Sequence, residues 1–206
     1  MNVLRTHPTV MDLVPGETQL LRSTMRDLVA LSALPTVWAG YQPRQVAEGL
    51  TDVLLAMLRL DLIYIRLSGQ AEGQEIEVAR AAGRPATPDQ ARDIGRALAP
   101  WLGGGSADPA PSFPNPAGNG TARLVVVPLV YDRRNGVLVA GSQRAGFPSE
   151  EDHLLLRVGA NQAAAVLQQQ RAAAALRESE RRLRAEQVRL QAVVANVGEG
   201  LYTLDT

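Results

Sequence analysis

The residue in this sequence most suited to chemistry is His153, in the stretch "EEDHLLLRV"; the only other histidine is His7. An imidazole there has two chemical readings, a haem ligand or a phospho-acceptor. The surroundings support neither. No proline follows soon after it, as would be expected beside a kinase phospho-acceptor, and the chain holds no glycine-rich ATP lid. An exposed side chain in the first turn of a helix is the expectation for His153. Two histidines would need carboxylate help to bind a metal, so no metal site and no cofactor is expected. The chain has no cysteine, which removes disulfides, thiolate metal sites, iron–sulfur clusters, cysteine nucleophiles and thioether-linked chromophores together. With no catalytic constellation left, this stretch of chain is expected to have no enzymatic activity of its own.

Charge narrows the partners. The formal net charge is +0, so neither nucleic acid nor an anionic membrane is expected as a partner. All 21 basic residues are arginine, which reflects codon bias in a G+C-rich genome and carries no mechanism. The opening "MNVLRTHPTVMDLVPGETQ" places Asp, Glu and proline where a signal peptide would be apolar, and no run is long enough to span a membrane. A cytoplasmic protein is expected. With 206 residues, 46% of them hydrophobic, there is room for one well-packed domain and extra helices.

The elements follow from periodicity. Residues 1–16 read as a flexible arm broken by Pro8, Pro15 and Gly16. A first helix from Glu17 to about Leu34 carries Leu21, Met25, Leu28 and Ser32 on one stripe, and Pro35 is expected to stop it. A second, about Pro43 to Arg59, has a broad face of Val46, Leu50, Val53, Leu54, Met57 and Leu58. The period then changes to that of strands: "LDLIYIRLSG" and "QEIEVARAAG" form a hairpin, with Ile76 and Val78 alternating against Glu75 and Glu77. A short helix from Pro88 to Trp101 starts behind a Thr87 cap. Residues 102–120, rich in glycine and proline, are expected to hold no regular structure. A second hairpin, "ARLVVVPLV" and "NGVLVAGSQ", turns at Asn135-Gly136, with Pro128 at an edge or bulge.

From the Ser149 cap to Gly198 one helix runs for about 65 Å. Its first half presents Leu156, Ala160, Ala163 and Leu167. Its second half places Leu176, Leu183, Leu190 and Val197 at heptad spacing among arginine and glutamate, with a companion position that is mostly polar, so the seam is marginal. The order of elements implies an α+β sandwich with an antiparallel sheet of five to six strands packed by helices.

The segment "RLVVVPLVYDRRNGVLVAGSQRAGFPSEEDHLLLRVGANQAAAVLQ" resembles the second half of a GAF domain. The Val-Pro-Leu step, the Gly-Val-Leu-Val strand, and Phe-Pro-Ser-Glu-Glu-Asp leading into Asn161-Gln162-Ala163 carry the likeness. It extends over about residues 40–170. "LRESERRLRAEQVRLQAVVANVGEGLYTLDT" looks like a signalling helix followed by the opening of a PAS domain. The organisation this implies is an arm over 1–16, a GAF domain with its N-terminal helix over 17–170, a coiled-coil signalling helix over 171–197, and a truncated PAS start over 198–206. With no partner strand, that last piece is expected to fray or to be drawn into the helix before it.

Family requirements then prune the function. Bilin attachment and the GAF-type methionine sulfoxide reductases need cysteine. Cyclic-nucleotide-binding members carry an Asn-Lys-Phe-Asp-Glu signature, and this chain has no lysine. The resemblance implies the sensory part of a bacterial histidine kinase, with a regulatory domain of a transcription activator or cyclic-dinucleotide enzyme, or a purely dimerising domain, as alternatives. A small-molecule ligand would lie between the sheet and the intervening helix and loop, near Tyr64, Arg66, Trp101, Phe113 and Arg123, where an arginine could pair with a carboxylate or phosphate. The competing expectation is that Trp101 closes the core and the arginines are solvated. A homodimer is expected through Leu21, Met25 and Leu28 of the first helix and Leu176, Leu183, Leu190 and Val197 of the last.

Overall fold

The computed structural model describes residues 15–68, 75–81, 83–102, 112–115, 120–129 and 136–202. The chain divides into two units, Met1–Ala164 and Ala165–Thr206. The first is built from α1 (Pro15–Val37), α2 (Pro43–Leu58), β1 (Leu62–Leu67), β2 (Ile76–Ala81), β3 (Arg84–Pro85), α3 (Pro88–Leu102), β4 (Ser112–Pro114), β5 (Thr121–Pro128), β6 (Gly136–Ser142) and the start of α4 (Glu150–Tyr202). It is the α+β class that the element order predicts. None of the described helices is long and apolar enough to cross a membrane.

One six-stranded sheet has the order β3-β2-β1-β6-β5-β4, and every pairing is antiparallel. Alternation of side chains divides its strands between two covered faces. Leu62 and Tyr64 of β1, Ala79 of β2, Val137 and Val139 of β6 and Leu124 of β5 share a core with Ala91, Ile94, Leu98 and Leu102 of α3. On the other face Ile63 and Ile65 are fully buried. There Arg80 reaches α2, with Nε 2.5 Å from Asp52 Oδ1 and 3.3 Å from Thr51 Oγ1. Gly159 of α4 lets that helix come close to α2: a Cβ there would stand 3.1 Å from a methyl of Leu54.

The helix starts are set by side chains. Thr87 Oγ1 accepts from the Gln90 amide while Gln90 Oε1 accepts from the Thr87 amide, a reciprocal cap for α3. Ser149 and Asp152 do the same for α4. Asp152 is buried, and both its oxygens accept from Arg144 Nη2 at 2.6 Å. The His153 side chain is exposed.

Several expectations change. Pro15 and Gly16 belong to α1, not to an arm, and residues 1–14 lie outside the described residues. Pro35 does not stop α1, which continues to Val37; so near its end the missing proline amide costs one terminal bond and not the helix. The 102–120 segment, expected to be irregular, contributes β4, because Ser112–Pro114 finds a partner in Thr121–Arg123. Of the two positions expected for Pro128, it takes the edge: β4 pairs only with the start of β5, so among the described residues Pro128 has β6 alone beside it. The expected turn at Asn135 falls outside the described residues. The Gly198-Glu199-Gly200 step is drawn into α4, one of the two outcomes expected for it, and the helix runs through it to Tyr202. A helix satisfies its own backbone groups within the segment. Residues 203–206 are outside the described set.

Candidate functional site

In β1 the extended "LIYIRL" sends Leu62, Tyr64 and Arg66 to the α3 face. β2 returns antiparallel with Glu77 directly opposite Arg66 and Ala79 opposite Tyr64. Glu77 therefore shares that face, diagonal to Tyr64. The Tyr64 hydroxyl donates to Glu77 Oε1 at 2.9 Å. α3 crosses above at Gly95, where a Cβ would stand 2.5 Å from Tyr64 Oη and 2.9 Å from Glu77 Oε1. No other residue type lets the helix backbone settle over this pair.

The electrostatics assign the proton. Burial first, then the hydrogen bond and negative charge of Glu77, push the Tyr64 phenol well above its ordinary ionisation range, with Arg66 opposing weakly. Tyr64 is thus a fixed donor. Its partner is left half-used: Glu77 Oε2 is buried and has no hydrogen-bond partner among the described residues. Arg66 is partly buried and makes no hydrogen bond or ion pair among the described residues. Among the described residues the arrangement holds no nucleophile with a base beside it.

The remaining expected ligand residues lie elsewhere. Trp101 and Phe113 meet edge to face, with centroids 5.1 Å apart and planes at 88°. They belong to the α3 face, but Phe113 is opposite Ala122, while Pro128 lies in the row of Arg66 and Val137. Six residues of strand separate the two rows, about 20 Å. Phe113 is buried in the core and Trp101 packs against it, so this pair closes the α3 layer. Arg123 is on the opposite face, exposed, and donates to the Phe147 carbonyl at 3.3 Å. Only Tyr64 and Arg66 are brought together.

Glu77 escaped the sequence reading because its alternation with Ile76 and Val78 resembles a polar side turned to water. With helices on both faces, that alternation does not distinguish water from α3. The available signal was Gly95, a glycine inside an otherwise amphipathic helix, which marks a close approach.

Among the residues expected at a dimer seam, Leu21 and Met25 are 53% and 67% exposed, and Val29 continues their stripe at 70%. Leu28 is turned partly inward, one turn before the fully buried Leu31, so it does not share that exposed stripe. In the second unit every side chain from Ala174 to Gln191 is exposed. Leu176, Leu183 and Leu190 are 62%, 60% and 59% exposed, and Val197 lies outside the described side chains.

A family model for the GAF domain matches residues 42–169. The chain belongs to the GAF domain family. It is similar to the solved GAF domain of a protein described as a sensor histidine kinase from Pseudomonas syringae pv. tomato, with 18% identity and a TM-score of 0.52, covering 80% of this chain and 97% of that one. It is also similar to the GAF domain of a phosphoenolpyruvate-protein phosphotransferase from Coxiella burnetii, with 14% identity and a TM-score of 0.48, covering 75% of this chain and 98% of that one. No curated protein matches. The first unit of this chain is thus a GAF domain of the sensory and regulatory kind.

Proposed function

We propose that this GAF domain is the input module of a bacterial signal-transduction histidine kinase, relaying a small-molecule or conformational signal through paired α4 helices to PAS and kinase domains. It has no catalytic role of its own and acts in the cytoplasm. The observation that carries this reading is the heptad row Leu176, Leu183 and Leu190, all exposed on a helix that has no apolar cover of its own there. Burying such a leucine against a partner helix is worth about 1.5–3 kcal/mol relative to leaving it in water. The second copy of the same helix is the simplest cover, with Leu21 and Met25 of α1 adding to the bundle.

The polar companion positions keep the seam weak. Arg182 with Glu178 and Arg184 with Glu180 already pair within the helix, each worth about 0.3–0.5 kcal/mol, and leave little charge free to fix a register. Two registers of similar energy are what a relay needs, because small changes upstream can then bias them. Light scattering of Leu183→Arg tests the reading. The parent is expected to be dimeric and the variant monomeric; an unchanged dimer refutes the α4 seam.

A further inference from the structure

Resting on the part of the proposed function that gives α1 a place in the dimer, the exposed face of that helix specifies how two copies meet there. We propose that α1 crosses the α1 of a second copy of this chain, antiparallel to it and at a two-fold axis beside Val29. The contact runs along an apolar ridge of Leu21, Met25, Val29, Ala33 and Val37.

Spacing and exposure define the ridge. Its five residues follow one another at four-residue intervals and all are exposed, Met25 and Val29 to 67% and 70%. α1 is held to its own domain by its other side, where Leu31 is fully buried and Thr24 donates to Glu151 at the start of α4. The fold of one copy therefore makes no use of the ridge. From Val29 to Val37 the helix carries no ionisable residue, and a contiguous apolar stripe of this kind marks an interface. Residues four apart pack into their like at a crossing of about −50°, whereas heptad rows such as that of α4 pair at about +20°. The α1 contact is thus of a different class from the α4 seam.

Two features select a second copy and its direction. The first is size. The ridge is centred on Val29, with the larger Leu21 and Met25 on one side and the smaller Ala33 and Val37 on the other. An antiparallel copy lays the large half on the small half and fills the contact evenly. A parallel copy sets Met25 on Met25 and Ala33 on Ala33, crowding one end and leaving a gap at the other. The second is charge. Arg22 and Arg26 are exposed beside the N-terminal half of the ridge, and the last turn of α1 has no basic residue. A parallel copy would place each arginine against itself. An antiparallel one brings both to the negative end of the partner helix dipole, toward the partner's Ser32 and Thr36, whose hydroxyls can accept from them. The surface is complementary to itself, as an isologous contact requires.

One ridge of this length is well short of the roughly 20–30 residues a side that a stable interface uses. A second contact must hold the chains together, and the α4 seam of the proposed function supplies it. Once the chains are joined there, the two α1 helices meet at a high effective concentration, so a small surface suffices.

The chain has no cysteine, so a single introduced one is unique and can be cross-linked or spin-labelled. In the full chain Val29→Cys, at the axis, is expected to form an interchain disulfide on mild oxidation, since the two Cα atoms there come within the roughly 4.4–6.8 Å that the bond spans. A spin label on Gln19→Cys, exposed and ahead of the ridge, should report an interchain distance of about 30 Å, ten residues from the crossing on each copy at 1.5 Å per residue. A parallel pair crossing at the same angle would hold the labels within about half that distance. Val29→Arg should leave circular dichroism unchanged and weaken dimerisation about 100-fold, the loss of one buried valine from each copy. A Val29→Cys chain that stays reduced, a short label distance, or a Val29→Arg dimer of parental affinity overturns the proposal. So does a label on Ala33→Cys that is immobilised in the dilute monomer, because the chain itself would then cover the ridge. The α4 seam fails separately. A Leu183→Arg chain that remains dimeric while Val29→Cys still cross-links refutes the seam and keeps the α1 contact; a monomeric Leu183→Arg chain beside a Val29→Cys chain that does not cross-link keeps the seam and refutes the contact.

Discussion

Replacing Gly95 by alanine sets two effects against each other. In a solvated helix the change stabilises, because alanine is favoured over glycine in a helix interior by about 1 kcal/mol. Here the new methyl would stand 2.5 Å from Tyr64 Oη, 2.9 Å from Glu77 Oε1 and 3.0 Å from Tyr64 Cζ, where ordinary contact begins at 3.4 Å. The phenol has nowhere to retreat, since Tyr64 is fully buried in the central strand β1. Either α3 lifts from the sheet, at an overpacking cost of about 1–3 kcal/mol, or the Tyr64–Glu77 bond breaks, forfeiting about 1.5–3 kcal/mol for a bond to a charged group. Offset by the propensity gain of about 1 kcal/mol, the net destabilisation is up to about 2 kcal/mol, which lowers Tm by up to about 8 °C in a domain of this size. Urea unfolding followed by circular dichroism measures it. Gly95→Ala/Tyr64→Phe removes the closest contact, so the double variant should be more stable than the two single losses added together, by about 1 kcal/mol. A Gly95→Ala chain more stable than the parent by the full helix-propensity gain of about 1 kcal/mol, or strictly additive losses, would refute the close packing of α3 on this pair.

Other expectations follow from the same contacts. Tyr64→Phe leaves both Glu77 oxygens without a donor among the described residues and should cost about 1–3 kcal/mol. Because the fold raises the phenol's pKa, the stability this contributes is complete below the unfolded value of about 10 and is lost as pH climbs from there toward the folded value. Urea midpoints should accordingly fall more steeply with pH above about 10 in the parent than in Tyr64→Phe; parallel slopes would contradict the assignment. Asp152→Ala removes the reciprocal cap of α4 and the partner of the half-exposed Arg144, with an expected loss of about 1–3 kcal/mol read from denaturant midpoints. Arg123→Ala, by contrast, removes only a long bond from an exposed side chain to the Phe147 carbonyl, and should change stability by less than about 0.5 kcal/mol in the same urea assay; a loss above about 1 kcal/mol would show that this bond matters to the fold.

Sequence periodicity carries the local structure of this chain a long way. Strand alternation in "LIYIRL", the Thr87 and Ser149 caps and the unbroken run after Ser149 each depend on near neighbours, and each is found as expected. The GAF resemblance of "GFPSEEDHLLLRVGANQ" is likewise legible, because Asp152 must return to Ser149 and reach Arg144, contacts set within a few residues. Chain-local rules misjudge what distant partners decide. Ser112–Pro114 becomes a strand only because Thr121–Arg123 offers it an edge.

The candidate site divides along the same line. That Tyr64 and Arg66 share a face follows from a two-residue period, which any reader of the sequence can count. That Arg123 lies on the opposite face, that Trp101 and Phe113 close the far end of the core, and that Glu77 points under α3 instead of into water depend on the register of β1 against β2 and β6, and of β5 against β6. Register in a sheet covered on both sides is set by the packing of two helical layers at once. No stretch of a few residues contains that information; only the assembled fold brings a tyrosine, a glutamate and a helical glycine, separated by thirteen and eighteen positions in the chain, to one point.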